Sequence, residues 1–350
     1  MARNPSKRAP HVDGFNIQNS CKATSDISTL GLFFYTKDIV RKRDRMERNY
    51  GLEEKINAEE IYEETATSSE VSSKYPISSV LWAGSTPFCK KVLIAKSDEY
   101  GRMLFTDGEL QSTEGDEAIY HEHLVHPAII THRALYGNKS LKVCVLGAGE
   151  GATCRELLKW PASVVKEIVW NDFDKYLVDL CRDYMGYCST QISEIYYPNQ
   201  RIIQLNMDAS KLLRDETLLP FDIIICDLPD PATDVKEGLY SPAFWKDIYA
   251  RTAEKCVIMT HCGPIAPASV DGMALATSVK EEMMRAGFAE PRLGKVAIPS
   301  FQSEWGFLIA TKNEAVPDLW ADSLPANCRI LDKDALTAFF RIPAYYTRVE

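Results

Sequence analysis

No run of ~18 apolar residues occurs anywhere in the chain, which excludes a membrane-spanning helix at the outset. Cysteine pairs are missing too. The ten cysteines (Cys21, Cys89, Cys144, Cys154, Cys181, Cys188, Cys226, Cys256, Cys262 and Cys328) include no CxxC spacing. Several stand inside apolar strand-like runs, Cys144 in KVCVL and Cys226 in IIICD, where a thiol behaves as a small hydrophobe. A zinc site is therefore not expected, and a reducing, cytoplasmic compartment is. Basic charge is in deficit: 40 Lys and Arg against 49 Asp and Glu leave a formal net charge of -9. Nucleic acid as the main partner would need a basic surface, whereas an acidic one draws a polycation. Wholesale disorder is excluded by 45% hydrophobic and 25% charged residues. The opening MARNPSKRAP is basic without the apolar core of a secretory signal. Because the first acid is Asp13, an organellar transit segment stays as an alternative.

At roughly 150 residues per domain, a chain of 350 residues predicts two domains. Residues 1–30 are polar and aperiodic and read as a mobile tail. The stretch from Thr29 to Tyr50 reads as a helix with a solvated basic face, and residues 51–74 as an acidic linker or an exposed helix plus loop. Beyond Pro76, SSVLWAG, KKVLIAKS and RMLFTDGELQS are short β-like runs divided by turn signals. TDGE predicts a hairpin, since Asp-Gly accepts the positive φ of a primed turn. A helix, DEAIYHEHLVHPAI, follows, with a proline expected near its end. After Lys142 strands (KVCVLG, EIVWND, RIIQLN, DIIICD, CVIMTH) alternate with helical stretches (CRELLKW, KYLVDLCRDYM, SKLLRDE), and KVAIPS and FLIATK add closing strands. Apolar runs alternating with helices predict a parallel sheet covered on both faces. The expected fold is α/β: a doubly wound, Rossmann-like sheet of the class I methyltransferase-like kind over 119–350, a small antiparallel β domain over 75–118, and an N-terminal extension over 1–74.

The candidate chemistry lies at strand ends. VLGAGEG, Val145–Gly151, joins the first parallel strand to its helix, and its glycines Gly147 and Gly149 serve either a nucleoside ligand or merely a tight turn. Ala152 stands where the dinucleotide fingerprint has its last glycine, and Glu150 would repel a pyrophosphate, so a cationic ligand is favoured. Asp172 and Asp208 end the next two strands. Each suits a helix cap, and together they suit an adenosine pocket. In DIIICDLPDP, Asp227 ends an apolar strand, and Asp230 follows between Pro229 and Pro231. The prolines stiffen a loop carrying two acids, fit either to hold an amine and accept its proton or to cap a turn. Of the six histidines, His121, His123, His126 and His132 cluster. HExxH begins at His121 but fails at Val125, so no metal is expected. No serine or cysteine lies in a nucleophile elbow.

The order FTDGELQSTEGDEAIYHE, LGAGEGATCRELLK, ND, MDA, DLPDP, IPSFQSEWGF resembles the polyamine aminopropyltransferases over about residues 77–312. The thermospermine synthase branch is the nearer likeness: His121 in YHE, Glu150 in the glycine loop, Leu228 in DLPDP and Phe301 in IPSF follow its form, and THCGP (Thr260–Pro264) is similar to its TQAGP. The resemblance implies transfer of an aminopropyl group from decarboxylated S-adenosylmethionine, as co-substrate and not as a permanently bound cofactor, to a polyamine, with release of methylthioadenosine. It implies Asp227 as the base aided by Tyr120, and Asp230 holding amine nitrogens. On the donor side it implies Glu150 at the aminopropyl ammonium, Asp172 at the ribose and Asp208 at the adenine. His121, Tyr240 and Trp305 are expected at the amine substrate. No metal, nucleic acid or membrane is implied, and a homodimer or larger oligomer is. The chain departs from the pattern in three places. Phe88 and Cys89 replace a Tyr-Gln pair, His261 stands where glutamine is usual, and Ala148 replaces a glycine.

The chemistry is consistent with this. A polyamine nitrogen has a pKa of roughly 10, as lysine does, so a base must free its lone pair, while a sulfonium is already an activated leaving group. The alternatives are a spermidine synthase acting on putrescine, an S-adenosylmethionine-dependent amine N-methyltransferase, and a non-catalytic paralogue that binds or regulates.

Overall fold

The computed structural model describes residues 60–65, 72–185, 201–218, 220–231, 238–266, 272–318 and 324–346. The expected mobile tail and basic-faced helix lie outside these residues.

Strands β1 (Glu60–Thr65) and β2 (Ser72–Ile77) pair antiparallel, Glu60 opposite Ile77 and Thr65 opposite Ser72. The composition of 51–74 reads as a linker, and the structure corrects that reading. EIYEET sets the strand-favouring Ile61, Tyr62 and Thr65 among three glutamates, and its net acidity hides that preference. A four-stranded sheet follows in the order β3 (Ser79–Gly84), β4 (Val92–Ser97), β5 (Gly101–Thr106), β6 (Glu109–Thr113). The β5–β6 connection is the expected Asp-Gly turn: Asp107 has φ 51° and Gly108 φ 101°. Asp107 also accepts from the Lys91 backbone N–H at 2.8 Å, fixing the turn against the neighbouring strand.

The second unit is built on seven strands. They are β7 (Leu141–Gly147), β8 (Val165–Asn171), β9 (Ile202–Leu205), β10 (Phe221–Asp227), β11 (Thr252–Ile265), β12 (Arg292–Ile298) and β13 (Ser303–Thr311), in the order β12-β13-β11-β10-β7-β8-β9. From β11 through β9 the neighbours are parallel, and β13 and β12 close one edge antiparallel. The helices are α1 (Glu117–Tyr136), α2 (Ala152–Leu158), α3 (Lys175–Tyr184), α4 (Ala209–Leu212), α5 (Pro242–Arg251), α6 (Ala274–Ala286) and α7 (Lys333–Phe339). Along β7, β10 and β11, Cys144, Leu146, Ile224, Cys226 and Ile258 pack with Phe244, Trp245 and Ile248 of α5 and with Val279 and Met283 of α6. The alternate residues Val143, Val145, Ile223, Ile225, Val257 and Met259 are equally buried. Strand side chains alternate faces, so both faces of the sheet are covered. Helices α1 and α2 pack on each other, α1 also on β10 and β11 and α2 on β8, and they supply the second cover.

Helix α1 does not stop near its proline. It runs through Pro127 to Tyr136, and residues 121–132 are all buried. Proline in a helix interior costs about 3 kcal/mol, and burial of an entire helical segment outweighs it. Helices α5, α6 and α7 lie outside the helical stretches that the sequence predicts. Among the described residues no helix is long and apolar enough to cross a membrane, and Cys144, Cys154, Cys226, Cys256 and Cys262 are buried thiols.

The chain leaves β7 toward β8 and β9, then returns to β10 on the other side of β7. That reversal places a crevice beyond the carboxyl ends of β7 and β10, the usual ligand position in an open α/β sheet.

Candidate active site

Two strand ends meet at the reversal. Asp227, the last residue of β10, is in register with Gly147, the last of β7. Gly147 has φ +86°, and a Cβ there would lie 1.8 Å from the Asp227 carbonyl oxygen. Only glycine permits this approach. The Ala148 N–H then donates to that same oxygen at 3.0 Å, and the Trp170 indole N–H to the Gly147 carbonyl at 3.1 Å. Ala148 sits at φ +66°, a left-handed conformation that costs a side chain about 1–2 kcal/mol. A Cβ on Gly149 would stand 3.2 Å from Asp172 Oδ2, so the Asp172 carboxylate lies against the glycine loop.

Two helices converge on the Asp227 carboxylate. Tyr120 of α1 donates to Oδ1 at 2.9 Å, and Thr153 of α2 donates to Oδ2 at 2.5 Å. Burial first, then the Asp227 charge, holds the Tyr120 hydroxyl well above its usual pKa, so the phenol stays protonated and donates. Each carboxylate oxygen keeps a lone pair beyond the one these donors use. The group is oriented and still able to take a proton.

Glu150, in the loop, is buried, and its Oε1 lies 2.8 Å from His121 Nε2. The other ring nitrogen, Nδ1, lies 2.9 Å from Glu117 Oε2. Burial pulls the His121 pKa down, but Glu150 and Glu117 together drive it well above the ordinary value, so the ring is an imidazolium between two carboxylates. Arg155 reaches the same Glu117 oxygen at 2.6 Å, and Arg329 contacts the other. The structure thereby corrects one expectation: His121 does not present a nitrogen to an amine substrate. Both ring nitrogens are spent on carboxylates, and its effect is to hold and partly neutralise Glu150.

The second acid of DLPDP, Asp230, stands at the rim with 47% of its side chain exposed, yet the protein packed around it raises its pKa by desolvation. His261 Nδ1 lies 3.8 Å from Asp230 Oδ1. His261 Nε2 lies 2.5 Å from the Leu228 carbonyl and 3.3 Å from the Tyr240 hydroxyl. Tyr240 is buried at φ +65° behind this histidine, so it supports His261, where the sequence predicts direct contact with the amine. Trp305 stacks on the His261 ring at 6.2 Å between centroids and 21° between planes, and meets Phe301 tilted by 55° at 4.8 Å. Tyr120 borders the same group, 6.0 Å from His261 and 6.3 Å from Phe301. This wall of aromatic faces can hold a cation.

The two acids expected at the donor part company. Asp172 is drawn in, and burial raises its pKa to about 7 despite a 2.8 Å hydrogen bond from the Asp174 N–H. Asp208 is exposed and caps α4, accepting from the Lys211 N–H at 3.2 Å. The clustered histidines disperse around α1: His123 bonds the Ile119 carbonyl at 2.6 Å, His126 lies 3.1 Å from Glu156, and His132 bonds the Lys255 carbonyl at 3.2 Å. No cluster suited to a metal ion occurs among the described residues. Phe88, in the place of the family tyrosine, is half exposed.

Sequence reasoning missed Thr153, Glu117 and Arg155. It also missed the lock between Asp116 and the IPSF turn, in which Asp116 accepts from the Ser300 N–H at 2.7 Å and the Ser300 hydroxyl at 2.8 Å. Asp116, Glu117, Thr153 and Arg155 all lie inside the quoted motifs. What was lacking was the fold that turns their side chains toward the known acids.

Comparison with known proteins agrees with this geometry. Residues 117–319 match the model of the spermine/spermidine synthase domain, and residues 61–114 that of the spermidine synthase tetramerisation domain. Polyamine aminopropyltransferase 2 of Caldanaerobacter subterraneus subsp. tengcongensis is 32% identical over 230 residues, 64% of this chain and 69% of that protein. The thermospermine synthase ACAULIS5 of Arabidopsis thaliana is 29% identical over 260 residues, covering 72% of this chain and 70% of the relative. Among solved structures, a spermidine synthase in complex with the transition state analogue AdoDATO superposes with a TM-score of 0.68 at 20% identity, over 84% of this chain and 95% of that one. The spermidine synthase of Thermotoga maritima gives 0.67 at 18% identity, over 84% and 94%. With the fold, the switch-point acids and a domain match spanning most of the second unit in agreement, the chain belongs to the spermine/spermidine synthase family of polyamine aminopropyltransferases.

Proposed function

We propose that this protein transfers the aminopropyl group of decarboxylated S-adenosylmethionine to spermidine, making thermospermine and releasing methylthioadenosine. The observation that carries the reading is the Asp227 carboxylate, oriented by Tyr120 and Thr153 at the switch point and flanked by Glu150 and Asp230. Asp172 takes the ribose hydroxyls of the donor, Asp208 the adenine amine, and Glu150 the aminopropyl ammonium. The acceptor nitrogen attacks the carbon next to the sulfonium, the carbon–sulfur bond breaks with its electron pair passing to sulfur, and Asp227 takes the proton released from nitrogen. Freeing that lone pair is the main demand, since an amine of pKa roughly 10 is protonated at neutral pH. No covalent intermediate is needed.

Two observations support spermidine as acceptor: the YHE, Glu150, Leu228 and Phe301 signature, and the similarity to a thermospermine synthase. The match to a tetramerisation domain supports a homo-oligomer. The test incubates pure protein with decarboxylated donor and putrescine, spermidine or spermine separately, with mass spectrometry of the products. Thermospermine from spermidine is expected. Spermidine from putrescine would move the acceptor within the family. A methylated amine in a parallel run with S-adenosylmethionine, or no product from any amine, refutes the reading.

A further inference from the structure

Helix α1 ties down a strap of chain that follows β13. The completely buried Glu122 accepts three successive backbone N–H groups, from Arg329 at 2.6 Å, Ile330 at 2.8 Å and Leu331 at 2.7 Å. Lys159 of α2 adds an ion pair to the same carboxylate at 2.9 Å. These are main-chain bonds, so they do not depend on which side chains residues 329–331 carry. Beyond them Asp332 caps α7 through the Ala335 N–H at 2.8 Å, and Phe339 of α7 lies 4.9 Å from the His123 ring of α1. The strap is thereby fixed to α1 at two points.

The anchoring delivers one charged side chain. Arg329, half-exposed, contacts Glu117 Oε1. Glu117 is buried, and its Oε2 serves His121 Nδ1 at 2.9 Å and Arg155 at 2.6 Å. Arg155 is itself divided, since it also pairs with Glu156 at 3.0 Å. Across the His121 ring, Nε2 lies 2.8 Å from Glu150 Oε1. A continuous series of charged groups, Arg329, Glu117, His121 and Glu150, runs from the strap to the glycine loop. Arg329 lies past residues 117–319, the extent of the family domain match.

We propose that Arg329 is a positioning residue for the aminopropyl donor: by occupying one oxygen of Glu117 it fixes the other on His121, and so sets where Glu150 meets the donor's ammonium. This role rests on the function proposed above and adds a residue of the strap to its donor site. Without Arg329, Glu117 Oε1 loses its cation inside the protein, where an acceptor without a partner is costly. The carboxylate then turns toward Arg155 and His121 to recover one. Turning it moves the ring, and the ring carries Glu150 with it. A direct effect of the guanidinium charge has the opposite sign, since removing a cation tightens a cationic donor. Half exposure and pairing with Glu117 keep that effect small.

The experiment is calorimetric titration of decarboxylated S-adenosylmethionine, and separately of methylthioadenosine, into the full-length protein and its variants. Methylthioadenosine shares the adenosine and lacks the aminopropyl ammonium, so it reports the rest of the pocket. Glu150→Gln is expected to weaken the decarboxylated donor about tenfold or more, as loss of a hydrogen bond between charged groups does. Arg329→Met keeps the apolar stem and the backbone bonds to Glu122, and is expected to weaken that donor about threefold to fivefold. Arg329→Lys should stay within about twofold of wild type, because one contact to one oxygen needs a charge and not the guanidinium fork. Methylthioadenosine should bind every variant within about twofold of wild type, and Arg329→Met should cost nothing further in the Glu150→Gln protein. Wild-type or tighter donor binding in Arg329→Met overturns the proposal, as does equal weakening of both ligands or an additive loss in the double variant. Should Arg329→Met fail to fold, Arg329→Gln takes its place in the same comparison. Wild-type donor affinity in Glu150→Gln refutes the donor contact given to Glu150, and the proposal with it. A loss there with none in Arg329→Met refutes the proposal alone. Because only binding is read, this pattern without any product refutes the transfer reading alone.

Discussion

Gly147→Ala is the most direct probe of how β7 and β10 meet. The added methyl would stand 1.8 Å from the Asp227 carbonyl oxygen, far inside contact distance, and the obstacle is backbone, not a movable side chain. The backbone at φ +86° adds a left-handed penalty of about 1–2 kcal/mol for alanine. Spreading the strand ends to make room also breaks the Ala148 N–H bond to that oxygen, worth about 1 kcal/mol. With the contact itself, the loss comes to about 3–5 kcal/mol, at the upper end for a single substitution. At 2–4 °C per kcal/mol for a domain of this size, the melting temperature should fall by roughly 6–20 °C. Where the variant still folds, displacement of Asp227 by about 1 Å should lower kcat about a hundredfold. Ala148→Gly next door should do the reverse: it relieves φ +66° at the cost of chain entropy, for a net gain of a few tenths to about 1 kcal/mol. Differential scanning calorimetry and steady-state kinetics on the pair test this. A Gly147→Ala protein melting within about 2 °C of wild type, with unchanged kcat, would show that the strand ends do not meet this way.

Thr153→Val keeps the shape of the side chain but removes the donor to Asp227 Oδ2, so kcat should fall about tenfold with little change in the KM for the amine, and an unaltered kcat counts against the orienting role. Asp172 carries a pKa raised to about 7 by burial, against roughly 3.9 in an unfolded chain, so the folded state binds the extra proton between those values. Its unfavourable effect on stability is absent below that window and complete above pH 7. Asp172→Asn should therefore gain melting temperature relative to wild type at pH 8 but not at pH 4, and an equal difference at both contradicts the shift. Glu150→Gln should narrow the kcat/KM preference for decarboxylated donor over S-adenosylmethionine about tenfold, because the side chain expected to repel the carboxylate of S-adenosylmethionine is gone. A preference as wide as in wild type would leave Glu150 without that role.

How much of this was legible beforehand depends on the range of each signal. The central strands were plain because a strand buried on both faces is a continuous apolar run, as DIIICD and KVCVLG are. The TDGE hairpin followed from two residues that accept positive φ. Asp227, Glu150 and Asp172 were legible because strand ends in a doubly wound sheet are the places where acids gather at a crevice. By contrast, the hairpin of β1 and β2 was hidden by acidic composition, and Pro127 suggested an end that burial of α1 overrides.

What the sequence alone determined, then, is the fold class and the identity of the acids, because periodicity and turn chemistry are local properties that survive without neighbours. Only tertiary structure decided the partnerships. Thr153 reaches Asp227 across 74 positions and Arg155 reaches Glu117 across 38, and His261 faces Asp230 from the adjoining strand. His121 is the clearest case. As a letter in YHE it was equally fit to touch substrate, but two carboxylates brought to its two nitrogens make it a buried cation, since charge at that position is set by what packs around it.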